Sequence, residues 1–296
     1  AAMWALGDKK FQGMMMFLMS IAKAILDPIL IYGWWIFPRM EIEGAAVATL
    51  IVRVVAMIVL MHFLMNKMHV LTNPFSPSRA IASWKKILHV GIPAMATNMI
   101  IPLSGALVLA VVATHGSNAV AGFGAAIRVE SFALILYYAL SAVIGPFVGQ
   151  NLGAGRVDRL RDSQRLSAIF CLISGLVITI ILALLGGWIA TFFCNLPEVV
   201  DTIKSYLFIV PLSYCAYGVV MVVNASFNGL GKPGPGVVVS SSRVVLVLLP
   251  LVWAGNIYWG LNGIFAAIAL SNILVGVVAY IWVQRIIDRE ANCVNS

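Results

Sequence analysis

Lys23 and Asp27 stand four residues apart in an otherwise apolar stretch, a spacing that puts an ammonium and a carboxylate on one helix face within pairing reach. Such a pair can exchange a proton or hold a monovalent cation. Pro28, beside it, removes one helical N–H and frees a carbonyl oxygen to share in that binding. Arg128 and Glu130 are two apart and point to different helix faces, while Arg53 and Arg243 lie in other apolar runs. An ionised group in hydrocarbon costs about 2.5–3.5 kcal/mol on insertion scales, so these residues face partners or a wet cavity. The bland readings are a structural Lys23–Asp27 pair, a polar network joining Arg128 and Glu130 with Gln150, Asn224 or Arg243, and arginines that snorkel from span ends. Enzyme chemistry finds no footing. There is no HExxH and no acidic metal cluster, His62, His69, His89 and His115 are dispersed, and Cys171, Cys194, Cys215 and Cys293 lack metal spacing. The expectation is a non-enzyme with neither metal nor cofactor.

The elements that must position these groups follow from composition. Apolar residues make up 61%, charged residues 10%, and mean hydropathy is +0.99, far outside the soluble range. Eight runs are long enough to cross about 30 Å of hydrocarbon: 11–33, 43–66, 90–114, 119–148, 166–194, 203–228, 236–255 and 261–284. None alternates with period two, so spanning helices are what satisfies the backbone in lipid. The fold expected is an all-α integral membrane protein with eight transmembrane helices. The net charge of +8 reads as topology rather than nucleic-acid binding. Lys9, Lys10, Lys67, Arg79, Lys85, Lys86, Arg156, Arg159, Arg161, Arg165, Lys232, Arg285 and Arg289 fall on one side of alternate loops, against Arg39 and Lys204 on the other. The positive-inside rule makes both ends cytoplasmic.

The chain also repeats itself. Leu6-Gly7-Asp8 returns as Leu230-Gly231-Lys232, and Gly44-Ala45-Ala46 returns loosely as Gly263 with Ala266-Ala267, each roughly 220 residues later. Internal duplication in a membrane chain is a transporter signal. The segment 67–89, with Asn73-Pro74, Ser76-Pro77 and a basic cluster, reads as a cytoplasmic linker between halves. Residues 1–66 then hold the last two helices of an N-terminal six-helix lobe, 90–285 a complete C-terminal six-helix lobe and 286–296 a cytoplasmic tail. Two spans precede the linker and six follow it, so the first half is expected to lack four helices. Gly229-Leu230-Gly231-Lys232-Pro233-Gly234 matches GxGxxG literally, but between two spans it reads as a loop.

Five strings, in order, resemble the multidrug and toxic compound extrusion (MATE) family: Leu26-Asp27-Pro28 with Leu30-Ile31-Tyr32-Gly33, Gly44 to Thr49, Arg128-Val129-Glu130, Val148 to Arg156, and Asn224 to Gly231. The resemblance implies twelve helices in two lobes around a central cavity and export of organic cations and drugs against sodium ions or protons, with this chain supplying helices five to twelve. It implies a cation-coupling site of Asp27 and Thr49. The family's asparagine position carries Lys23, whose amine competes with sodium for the carboxylate, so H+ rather than Na+ is the expected coupling ion. A second branch of the family places acids on helices seven and ten. Here the seventh carries Asn98 and the tenth none. Glu130, Arg128, Asn98, Asn224 and Arg243 are the candidates for a cavity or polar network. The expectation is a monomeric secondary antiporter, multi-pass in the inner (plasma) membrane, exporting small organic cations. The alternatives are a lipid-linked oligosaccharide flippase, which lines its cavity with basic residues, and a non-functional fragment of an exporter.

Overall fold

A computed structural model describes residues 9–34, 39–66 and 77–294, and among them every regular element is helical. Two compact units divide between Lys85 and Lys86.

In the first unit, α1 (Lys9–Tyr32) and α2 (Glu41–Asn66) form a helical hairpin. Helix α1 carries Pro28 within it, which leaves the Ala24 carbonyl without its usual donor. The turn closes where the Met40 N–H donates to the Leu30 carbonyl at 3.1 Å. Gly44 then sits so close that a Cβ would lie 2.6 Å from that same oxygen, and close approach of this kind is what a small residue permits between membrane helices.

In the second unit the apolar runs are interrupted in ways that matter for the site. Helix α3 (Pro77–Val112), which enters this unit at Lys86, begins on a proline, which needs no N–H partner in the first turn, and starts inside the segment read as linker. The run 119–148 is carried by α4 (Ser117–Ala133) and α5 (Ile135–Gly153), divided at Leu134. Helix α6 spans Val157–Phe193. The run 203–228 is broken by a tight 3₁₀ turn at Val210–Ser213, around Pro211, between α7 (Pro197–Ile209) and α8 (Tyr214–Gly229). After α9 (Pro233–Ser242) comes a π-helical turn, Arg243–Leu248. Its cause is visible in the sequence: Pro250 offers no N–H to the Leu246 carbonyl, and the ladder widens ahead of it. Helix α10 (Leu249–Val294) bends at Gly260, whose φ of 55° suits glycine.

Beyond that bend the chain packs back on itself. A Cβ on Gly263 would lie 2.0 Å from the Gly255 oxygen. Among the described residues six helical stretches are long and apolar enough to cross a membrane, the last being Pro233–Arg289 with the bend inside it. The core of this unit is built on Tyr137, Tyr214, Phe227, Phe265, Leu160 and Ile203, all fully buried, whereas Leu184, Trp188 and Phe192 project outward from α6. Large apolar side chains outside are what hydrocarbon, rather than water, stabilises.

Polar contacts gather at two ends of the second unit. Arg161 at the start of α6 donates from Nε and Nη2 to Asp288 Oδ1, at 2.9 and 2.6 Å. At the other end His115 Nε2 meets Asn256 Oδ1 at 2.6 Å, and Asn118 Nδ2 donates to Glu198 Oε2 at 2.6 Å.

Candidate functional site

In the first unit, Lys23 Nζ donates to Asp27 Oδ2 at 2.6 Å. The two side chains are 41% and 26% exposed. Asp27 Oδ1 is buried and accepts no hydrogen bond among the described residues. A carboxylate oxygen left in that condition is costly. Thr49 does not reach it: its hydroxyl donates to the Ala45 carbonyl one turn back, at 2.8 Å. That bond is the usual way a threonine satisfies itself inside a helix.

The second unit contains a cavity of about 310 Å³ lined by residues of α3, α4, α5, α7, α8, the π turn and α10. Its walls are largely aromatic and aliphatic: Phe123, Tyr138, Tyr206, Tyr217, Val108, Leu248 and Ile268. Two charged side chains open onto it, Glu130 and Arg243. The Tyr206 hydroxyl donates to Glu130 Oε2. The tyrosine ring is itself locked edge-on against Phe123 and Phe265, at centroid distances of 5.6 and 5.1 Å, so the donor is preorganised.

Arg243 is held differently. Its guanidinium lies over the Tyr217 ring, 5.1 Å from the centroid, and Nη1 donates to Asn272 Oδ1 at 3.1 Å. Asn272 in turn donates to Ser213 Oγ at 3.0 Å, and Ser213 to the Val210 carbonyl at 2.8 Å. This relay starts at the 3₁₀ turn and fixes an arginine that the π turn delivers. Turns of this kind recur where a helix must present a functional group. Among the described residues Glu130 and Arg243 form no ion pair with each other.

The remaining candidates are placed elsewhere. Asn224 Nδ2 donates to Ser240 Oγ at 3.2 Å, and a neighbouring buried contact runs from Gln164 Nε2 to Ser226 Oγ at 2.7 Å. Arg128 is exposed on α4 and makes no hydrogen bond or ion pair among the described residues. Asn98 belongs to α3, with its side chain outside the described residues. Sequence reasoning missed Tyr206, Tyr217, Ser271, Asn272 and Ser213. The signal for Asn272 was present, since a carboxamide in the middle of an apolar run needs a partner.

Comparison with known proteins now places this architecture. The MatE family model matches residues 93–254, more than half of the chain. The chain belongs to the MATE family. A FAD transporter of Shewanella oneidensis is 36% identical over 283 residues, covering 95% of this chain and 63% of that protein. The probable multidrug resistance protein YoeA of Bacillus subtilis is 27% identical, with 96% and 64% covered. The crystal structure of the Vibrio cholerae MATE transporter VcmN in its bent form superposes with a TM-score of 0.85 at 27% identity, again over 96% of this chain and 64% of that one. This MATE chain therefore spans somewhat under two thirds of the length of these relatives. It is an all-α, multi-pass integral membrane protein.

Proposed function

We propose that the protein carrying this MATE chain is a secondary active exporter of flat, drug-like organic molecules, which exchanges them for protons through alternating access between two lobes. The observation that carries the reading is the cavity of the second unit. Aromatic walls around a single carboxylate, Glu130, suit a planar organic cation, which gains from both the ring faces and the charge. Relatives named for multidrug resistance and multidrug export support the same class. The MATE family match and the relatives named as transporters support a carrier.

Proton coupling is supported by Lys23. Its ammonium occupies one oxygen of Asp27, where a sodium ion would otherwise find a carboxylate without competition, while a proton can still be taken up on Oδ1. Thr49 enters this site only if its hydroxyl turns away from Ala45. The basic loops support a reading in which both ends lie at the cytoplasmic face of the inner membrane, and a monomer is the state expected. In efflux-deficient cells the full-length protein should lower ethidium accumulation. Asp27→Asn should restore it to the level of cells without the protein while reaching the membrane in equal amount. Undiminished efflux by Asp27→Asn would remove the carboxylate from the coupling role.

A second substrate reading has its own support. The relative at 36% identity is a FAD transporter, and Arg243 gives this cavity a cationic end that an organic-cation pocket has no use for. On this reading the exported molecule is a flavin dinucleotide.

A further inference from the structure

The geometry points to Arg243, Ser271 and Asn272 as an anion-selecting subsite that receives the phosphate of an aromatic substrate whose ring lies among Phe123, Tyr206 and Tyr217. The inference rests on the flavin reading above and names the residues that would make it work.

Three independent observations converge. The first is that Arg243 keeps most of its donors. A guanidinium carries five N–H groups, and among the described residues its one hydrogen bond goes to the Asn272 carbonyl oxygen. That partner is neutral, so the charge is positioned but not cancelled. Glu130, the acid lining the same cavity, is engaged by the Tyr206 hydroxyl.

The second is Ser271. It is 1% exposed, lines the cavity, and its hydroxyl oxygen has no hydrogen-bond partner among the described residues. A buried hydroxyl left unpaired costs stability, and here it adjoins Asn272 at the cationic end. The third is the positioning relay itself. Val210, Ser213 and Asn272 hold Arg243 in one orientation, and restraint of this kind lets a planar guanidinium bind phosphate with two parallel bonds.

The carboxylate and the guanidinium together select further. With Glu130 bound to Tyr206 and Arg243 bonded, among the described residues, only to the neutral Asn272, the site takes a ring bearing N–H donors at one end and an anion at the other. A simple cation satisfies the first requirement and leaves the arginine exposed to an empty pocket. A cavity of about 310 Å³ lies at the small end of ligand-pocket sizes, so part of a larger substrate would lie outside it.

The test uses the purified full-length protein and flavin fluorescence, with FMN and riboflavin as probes because they share a ring and differ by the phosphate. Wild type should bind FMN roughly tenfold to 100-fold more tightly than riboflavin, the range conferred by a charge-assisted contact. Arg243→Gln should bring FMN down to the riboflavin affinity and leave riboflavin within about twofold. Arg243→Lys should recover part of the FMN preference. Asn272→Asp places a carboxylate at the existing arginine contact and should abolish the preference while leaving the ring site intact, which separates charge cancellation from misfolding. Equal FMN and riboflavin binding by wild type, a uniform loss of both in Arg243→Gln and Asn272→Asp, or no binding of either probe would each overturn the subsite. Ethidium export measured on the same preparation keeps the two questions apart. Export without FMN preference removes the anion subsite alone, and absence of any export removes the transporter reading with it.

Discussion

Replacing Tyr206 by Phe isolates one hydrogen bond at the floor of the cavity. The ring stays, and with it the edge-on contacts to Phe123 and Phe265, so no cavity opens and the large penalty of an aromatic truncation, about 3–5 kcal/mol, is avoided. What is lost is the hydroxyl donor to Glu130 Oε2. A neutral interhelical hydrogen bond in a membrane protein averages about 0.6 kcal/mol, whereas one to an ionised group contributes about 1.5–3 kcal/mol. Tyr206 is 2% exposed, so water does not replace the lost donor easily, and the upper range applies. Tyr206→Phe should therefore lower stability by about 2 kcal/mol, and Glu130→Met, which removes the acceptor that a glutamine would keep, by a similar amount. The double variant should be little worse than either single one. The assay is a double-mutant cycle on unfolding of the full-length protein in detergent. A coupling of at least about 1 kcal/mol stands clear of the roughly 0.3–0.5 kcal/mol within which independent sites add. Additive single losses would show that the two groups do not hold each other, and the preorganised acid would fall with them.

Gly263→Ala should cost about 1–3 kcal/mol, the usual range for overpacking, because the added methyl would meet the Gly255 backbone oxygen at 2.0 Å. Gly234→Ala, where nothing lies within 4 Å of the new Cβ, should be near neutral in the same thermal unfolding experiment, and equal melting of the two would refute the close approach. Lys23→Asn should change stability by no more than about 1 kcal/mol, as expected of a part-exposed ion pair, but should make export respond to a sodium gradient. Continued indifference to sodium would show that the lysine is not what excludes it.

Much of this fold was legible from periodicity and charge because lipid imposes simple demands. Long apolar runs had to be helices, and the repeat marked by Gly44 and Gly263 has a physical meaning in the structure. Each glycine lets one helix touch the backbone of the preceding segment, on Leu30 in one unit and on Gly255 in the other. The matching signature at Leu6-Gly7-Asp8 lies outside the described residues. The breaks inside runs were harder to read. Pro211 and Pro250 stand at two of these breaks, but whether the chain answers with a 3₁₀ turn or a π turn depends on what the neighbouring helices offer.

The candidate site was legible only where charge made it so. Glu130 and Arg243 stood out because ionised groups are costly in hydrocarbon, yet nothing in their spacing revealed that they share a cavity, since α4 and the π turn are distant in sequence. Tyr206 and Tyr217 were indistinguishable from core aromatics until their neighbours were known. Asn224 looked equally polar, and its Nδ2 donates to Ser240 instead, with Oδ1 buried and unpaired among the described residues. Pairing of this kind is a tertiary fact, and a single sequence carries little trace of it.

The central claim, proton-coupled export, is tested most directly in proteoliposomes containing the purified full-length protein, with ethidium and internal pH followed together. An imposed proton gradient should drive ethidium across the membrane, dye movement should collapse the gradient faster than leakage does, and an equal sodium gradient alone should drive nothing. Ethidium movement driven by sodium and not by protons, or no gradient-dependent movement at all, would contradict the account.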